Sequence, residues 1–65
     1  MSQQLADFEA DSVDEFAARH RISRSQVYKE IREGRLTARK IASRTIITRE
    51  DGAAWRHALP VLAPV

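Results

Sequence analysis

Cysteine is absent from the 65 residues, histidine occurs only twice, and no long apolar run is present. Each absence removes a class of protein. Without cysteine there are no disulfides to staple a small fold and no thiolate ligands for zinc. His20 and His57 lie far apart and lack carboxylates at ligand spacing, so neither a metal nor another cofactor is expected. No apolar stretch approaches the roughly 20 residues of a membrane helix, and the acidic N-terminus does not suit a signal peptide. The expectation is a soluble, cytoplasmic protein that engages no membrane. Repeats and low-complexity segments are also missing. A chain of this size buries only about 60% of the surface it exposes when unfolded, which allows one thin core and little room for an enclosed active site.

What is present is a strong segregation of charge. Residues 1–15 hold five acids and no base, whereas residues 16–49 hold ten Lys/Arg against Glu30 and Glu33. Residues 50–65 add Glu50, Asp51 and Arg56, and the net charge is +2. A basic middle in a compact domain is the footprint of a surface for polyanions, although a solvated outer face has the same composition.

The local signals divide the chain into an acidic N-terminal arm over 1–11, a folded domain over 12–59 and an apolar tail, 60–65. In "SVDEFAARH" Ser12 and Glu15 have the spacing of a capping box, and Val13, Phe16 and Ala17 share one apolar face. In "ISRSQVYKEIREGRL" Ser23 and Gln26 repeat the box, and Ile22 and Val27 are placed as a hydrophobic staple. Gly34 is the residue expected to end the helix in a left-handed conformation. The few residues between these helices suit a helix-turn-helix corner. The pattern "LTARKI", "ASR", "TII" then reads as a β-hairpin, with Leu36, Ile41 and Ile47 facing the core. Thr48 and Asp51 mark a third helix that carries Trp55 and Leu59 and stops at Pro60. Gly52 inside it costs about 1 kcal/mol relative to Ala, so this helix depends on Trp55 docking. The order predicts a mainly α fold with a small β-hairpin: a winged helix-turn-helix with a two-stranded wing and a C-terminal helix.

On a wheel of about 100° per residue, Val27 and Ile31 of the second helix point inward. Arg24, Ser25, Tyr28, Lys29 and Arg32 gather on one outer flank, with Gln26, Glu30 and Glu33 on the other. A DNA major groove accepts one α-helix and is read by the residues of its first turns. Ser23, Arg24, Ser25 and Gln26 stand there to read bases or hold phosphate, with Arg24 suited to guanine. Tyr28, Lys29 and Arg32 are placed to grip the backbone. The hairpin brings a second basic group, Arg39 and Lys40 on its first strand, Ser43, Arg44 and Thr45 around its tip, and Arg49 just after it. That density suits a minor groove, and it also suits an edge strand protected from aggregation. Catalysis finds no support. Ser12, Ser23 and Thr48 are used as caps, and neither histidine has a nucleophile or orienting acid at a recognisable spacing, so no enzyme activity is expected.

From Ser12 to about residue 59 the sequence resembles the winged-helix DNA-binding domains of the excisionase family, distant relatives of the DNA-binding half of MerR-type regulators. "ISRSQVYKEIREGRL" is similar to the family's second helix and its exit, and "IITRED" to its second wing strand entering the last helix. Arg21 stands where the family usually has glycine and His20 where an apolar residue is common. Ala42 replaces a frequent wing-tip glycine, and Gly52 a usual leucine. The resemblance implies a recombination directionality factor, nucleoid-associated in a bacterial cell, that binds and bends double-stranded attachment-site DNA. It further implies cooperative, often head-to-tail self-association and an integrase partner in excising a prophage or mobile element. A long dimerisation helix and effector domain of the MerR type are not in the sequence, so no small-molecule effector is expected. Two other readings stay open. One is a small transcriptional regulator of a mobile element; the other is an adaptor that works through the acidic arm and the tail "LPVLAPV".

Overall fold

The computed structural model describes residues 9–63, so most of the expected acidic arm and the last two residues of the tail lie outside the described residues. Among the described residues the elements run β1 (Ala10–Ser12), α1 (Val13–His20), α2 (Arg24–Arg32), β2 (Arg39–Ile41), β3 (Arg44–Thr48) and α3 (Arg49–Ala58). The sheet is antiparallel in the order β1-β3-β2. It therefore has three strands rather than the two expected, and Ala10 and Asp11 belong to it rather than to an arm. Ala and Asp are poor strand residues; they are held by pairing with the β-branched run of β3, Ala10 opposite Thr48 and Ser12 opposite Ile46. Among the described residues no helix is long and apolar enough to cross a membrane.

Every helix starts on a side-chain cap. Ser12 Oγ accepts from the Glu15 amide at 3.1 Å while Glu15 Oε1 accepts from the Ser12 amide at 2.8 Å, which closes the box at α1. Ser23 Oγ accepts from the Gln26 amide at 3.0 Å, and Thr48 Oγ1 from the Asp51 amide at 3.0 Å. The second box stays half made, because the Gln26 side chain turns to Glu30 instead.

Both α1 and α2 end in the same left-handed hydrogen-bonded turn. After α2, Gly34 takes φ 81; its amide donates to Ile31 O at 3.1 Å, and the Arg35 amide to Glu30 O at 3.0 Å. After α1 the equivalent bonds run from Arg21 to Ala18 O at 3.2 Å and from Ile22 to Ala17 O at 3.0 Å. Arg21 holds φ 56 and ψ 41 there, a conformation in which its Cβ is crowded and glycine would not be. The bond from Ile22 and its apolar packing fix the direction in which α2 leaves.

The core joins Val13, Phe16 and Ala17 of α1, Val27 of α2, Leu36, Ile47 of β3 and Trp55 of α3, with Ile22, Ile31 and Ala38 packed against it. Ile41, expected in this core, is 59% exposed. It pairs with Arg44 at the hairpin end, beyond the reach of the helices. Gly52 is a close-approach residue rather than a weak point. A Cβ placed there would lie 3.2 Å from Phe16 Cε2 and 3.8 Å from Ile47 Cγ2, so its bare backbone lets the full ten-residue α3 seat on the core.

Candidate nucleic-acid interface

Of the residues on α2, Val27 is fully buried and Ile31 half-buried, whereas Ser23, Arg24, Ser25, Gln26, Tyr28, Lys29 and Arg32 are exposed. The outer flank expected from the wheel is therefore present on a helix fixed at both ends. Its members are not equally available. Arg24 Nε lies 2.8 Å from Asp14 Oδ1, and the guanidinium sits over the Tyr28 ring at 5.5 Å from its centroid. Gln26 Nε2 donates to Glu30 Oε2 at 2.8 Å, a bond from an exposed side chain of the first turn to a buried carboxylate. Lys29 and Arg32 make no ion pair among the described residues.

Glu30, placed on an outer flank by the wheel, is buried at 6% exposure. Its carboxylate is met from four directions. Oε1 accepts from Trp55 Nε1 at 3.0 Å and Arg35 Nε at 2.8 Å, and Oε2 accepts from Arg35 Nη2 at 2.9 Å and Gln26 Nε2 at 2.8 Å. These bonds, that from Arg35 foremost and that from Trp55 next, hold its pKa down at about 2 against the opposing effect of burial. Arg35 is raised by the same contacts and also donates to Glu33 at 2.8 Å. This network ties the exit of α2 to α3 through Trp55. The sequence gives no local sign of it, because the Trp55–Glu30 bond joins residues 25 apart. The available hint was a buried indole N–H, which needs an acceptor.

On the hairpin, Arg39, Lys40, Ser43 and Arg44 are exposed and Thr45 is half-buried opposite Lys40. Arg39 is drawn away to α3, with Nε 2.6 Å from Asp51 Oδ2. This contact depresses the Asp51 carboxyl and raises the Arg39 guanidinium. Lys40 and Arg44 are left as the hairpin's cations without an ion pair among the described residues. The tip is the two-residue turn Ala42–Ser43 between the paired Ile41 and Arg44. Ala42 takes φ 54, a conformation ordinarily given to glycine at the first position of such a turn.

The two basic groups rest on different supports. Helix α2 packs on α1, and the hairpin rests through β3 on β1, α1 and α3. At the joint between α1 and α3, His20 stacks on Phe16 at 4.0 Å between ring centroids and meets Trp55 edge-on at 5.4 Å. Arg56 Nη1 can only donate to His20 Nε2, at 3.1 Å. The imidazole therefore carries its proton on Nδ1, which donates to Phe16 O at 2.9 Å. Comparison with protein-family models, with curated proteins and with solved structures returned no match.

Proposed function

We propose that the chain is a winged helix-turn-helix domain that binds double-stranded DNA in a sequence-specific way, and that it acts as an architectural recombination directionality factor. The observation that carries this reading is α2: a nine-residue helix entered through a three-residue turn, fixed at both ends, with Arg24, Ser25, Tyr28, Lys29 and Arg32 exposed. In this reading α2 lies in the major groove. Ser23 and the amides at the helix start hold a phosphate, Arg24, Ser25 and Gln26 meet base edges, and Tyr28, Lys29 and Arg32 hold the backbone. The hairpin is the wing, with Arg44 entering the minor groove and Lys40, Ser43 and Thr45 beside it. Arg39 contributes through its support of the hairpin against α3.

The resemblance to excisionases supports the finer part of the proposal: bending of attachment-site DNA by adjacent copies that cooperate with an integrase in excision. The test is a pair of measurements on the Arg24→Ala/Arg44→Ala variant, duplex affinity and excision in a reconstituted reaction. Both are expected to fall at least tenfold with the fold intact by circular dichroism. Unchanged output in both would remove the DNA-binding reading and favour an adaptor.

A further inference from the structure

Asp14 of α1 and Tyr28 of α2 meet the same side chain, the guanidinium of Arg24, and together they fix how it can be used. Arg24 is the first residue of α2, where a helix lying in a groove addresses bases. Its Nε lies 2.8 Å from Asp14 Oδ1, and its Cζ stands over the Tyr28 ring at 5.5 Å from the centroid. The acid thus approaches from the Nε side, while the ring, one turn along the same helix, backs the guanidinium plane. Both Nη nitrogens are left without a hydrogen bond among the described residues. Both side chains of the ion pair are exposed, so a duplex can reach the Nη edge with the pair in place.

That arrangement favours one kind of acceptor over another. A phosphate is an anion, and a carboxylate beside the same guanidinium repels it. A guanine edge carries no net charge, and its O6 and N7 accept side by side from an arginine. Nη1 and Nη2 offer that pair of donors without displacing Asp14 from Nε. An arginine also gives up rotamer freedom when it meets a base, and one already held at two points gives up less.

We propose that Asp14 is a positioning residue for base recognition: it holds Arg24 from the Nε side, so that the Nη edge reads guanine and phosphate is disfavoured. The proposal rests on the reading of α2 as a DNA-binding helix. Asp14 also serves α1, where an acid in the first turn suits the helix dipole, and the test separates the two roles.

The experiment is selection from a random duplex pool by the full chain and by its Arg24→Ala, Asp14→Ala and Asp14→Asn variants, with folding checked by circular dichroism. Preference is then measured on the selected duplex with each guanine replaced by adenine. One guanine is expected whose preference falls about fivefold or more in Arg24→Ala. Asp14→Ala is expected to bind the pool as a whole more tightly at low salt, yet to prefer that guanine about threefold to fivefold less, the range open to an exposed ion pair. Asp14→Asn, the same shape without the charge, serves as a second variant with the same expectation. An acid that merely competes for Arg24 would raise affinity and leave the preference intact. One that merely supports α1 would lower affinity for every sequence alike. Undiminished guanine preference in both folded Asp14 variants, or a wild-type site with no guanine that Arg24→Ala loses, would overturn the proposal and leave DNA binding in place. No enrichment by the wild type would remove the DNA-binding reading and the proposal with it.

Discussion

Single residues set the strain and the charge of this molecule. Arg21 and Ala42 hold φ of 56 and 54, in the left-handed region that glycine enters without a crowded Cβ. Each side chain bears a cost of roughly 1–2 kcal/mol for the left-handed region. Glycine at either place loses about 0.5–1 kcal/mol to its greater freedom in the unfolded chain. Arg21→Gly and Ala42→Gly are therefore each expected to stabilise the fold by about 0.5–1 kcal/mol in urea unfolding; a loss of stability would show that the turns are held by the side chains. Glu30 sets the acid limit. Its pKa falls from the ordinary 4.5 to about 2 on folding. A depressed carboxyl contributes stability that is complete above the unfolded value and is lost as pH falls toward the folded one. Unfolding followed by Trp55 fluorescence is expected to ease between pH 4.5 and 2, with Asp51, also depressed, adding in the same direction. In Glu30→Gln that slope is expected to flatten, while stability at neutral pH drops by about 1.5–3 kcal/mol for the lost charged hydrogen bonds.

At the scale of elements, what could be read in advance was local. Ser12, Ser23 and Thr48 each accept an amide three residues on, and Gly34 ends α2, because caps depend on neighbours in sequence. The third strand was not legible, since "ADS" carries no strand signal and exists through β3. Nor were the partners of the candidate DNA residues. Asp14 and Asp51 reach Arg24 and Arg39 only after the chain has turned. Asp14 competes with DNA for Arg24 in the proposed interface. With both side chains more than half exposed, Asp14→Ala is expected to raise duplex affinity at low salt by up to about fivefold, the range of a surface ion pair. Equal affinity at low and high salt for variant and wild type would show that Arg24 does not meet DNA. Gly52 belongs to this scale too. Leucine here would strike Phe16, which His20 and Trp55 hold in place. Gly52→Leu is expected to cost about 1–3 kcal/mol, as overpacking does, and a gain in thermal stability would show that α3 can shift outward.

Among the described residues of the whole molecule, three helices and a three-stranded sheet place the basic side chains on separate supports. Asp11, Asp14, Glu30, Glu33 and Asp51 tie down Arg19, Arg24, Arg35 and Arg39. Lys29, Arg32, Lys40 and Arg44 keep their charge uncompensated among the described residues, on α2 and the hairpin. That partition adds to the exposed flank of α2 in supporting the DNA-binding proposal, and composition alone could not have revealed it. The central claim is tested most directly by selecting bound sequences from a random duplex pool at moderate salt. The account predicts enrichment of closely spaced direct repeats, the signature of copies assembled head to tail. Inverted repeats would indicate a two-fold dimer and a transcriptional regulator. No enrichment, with binding lost as salt rises, would contradict sequence-specific recognition altogether.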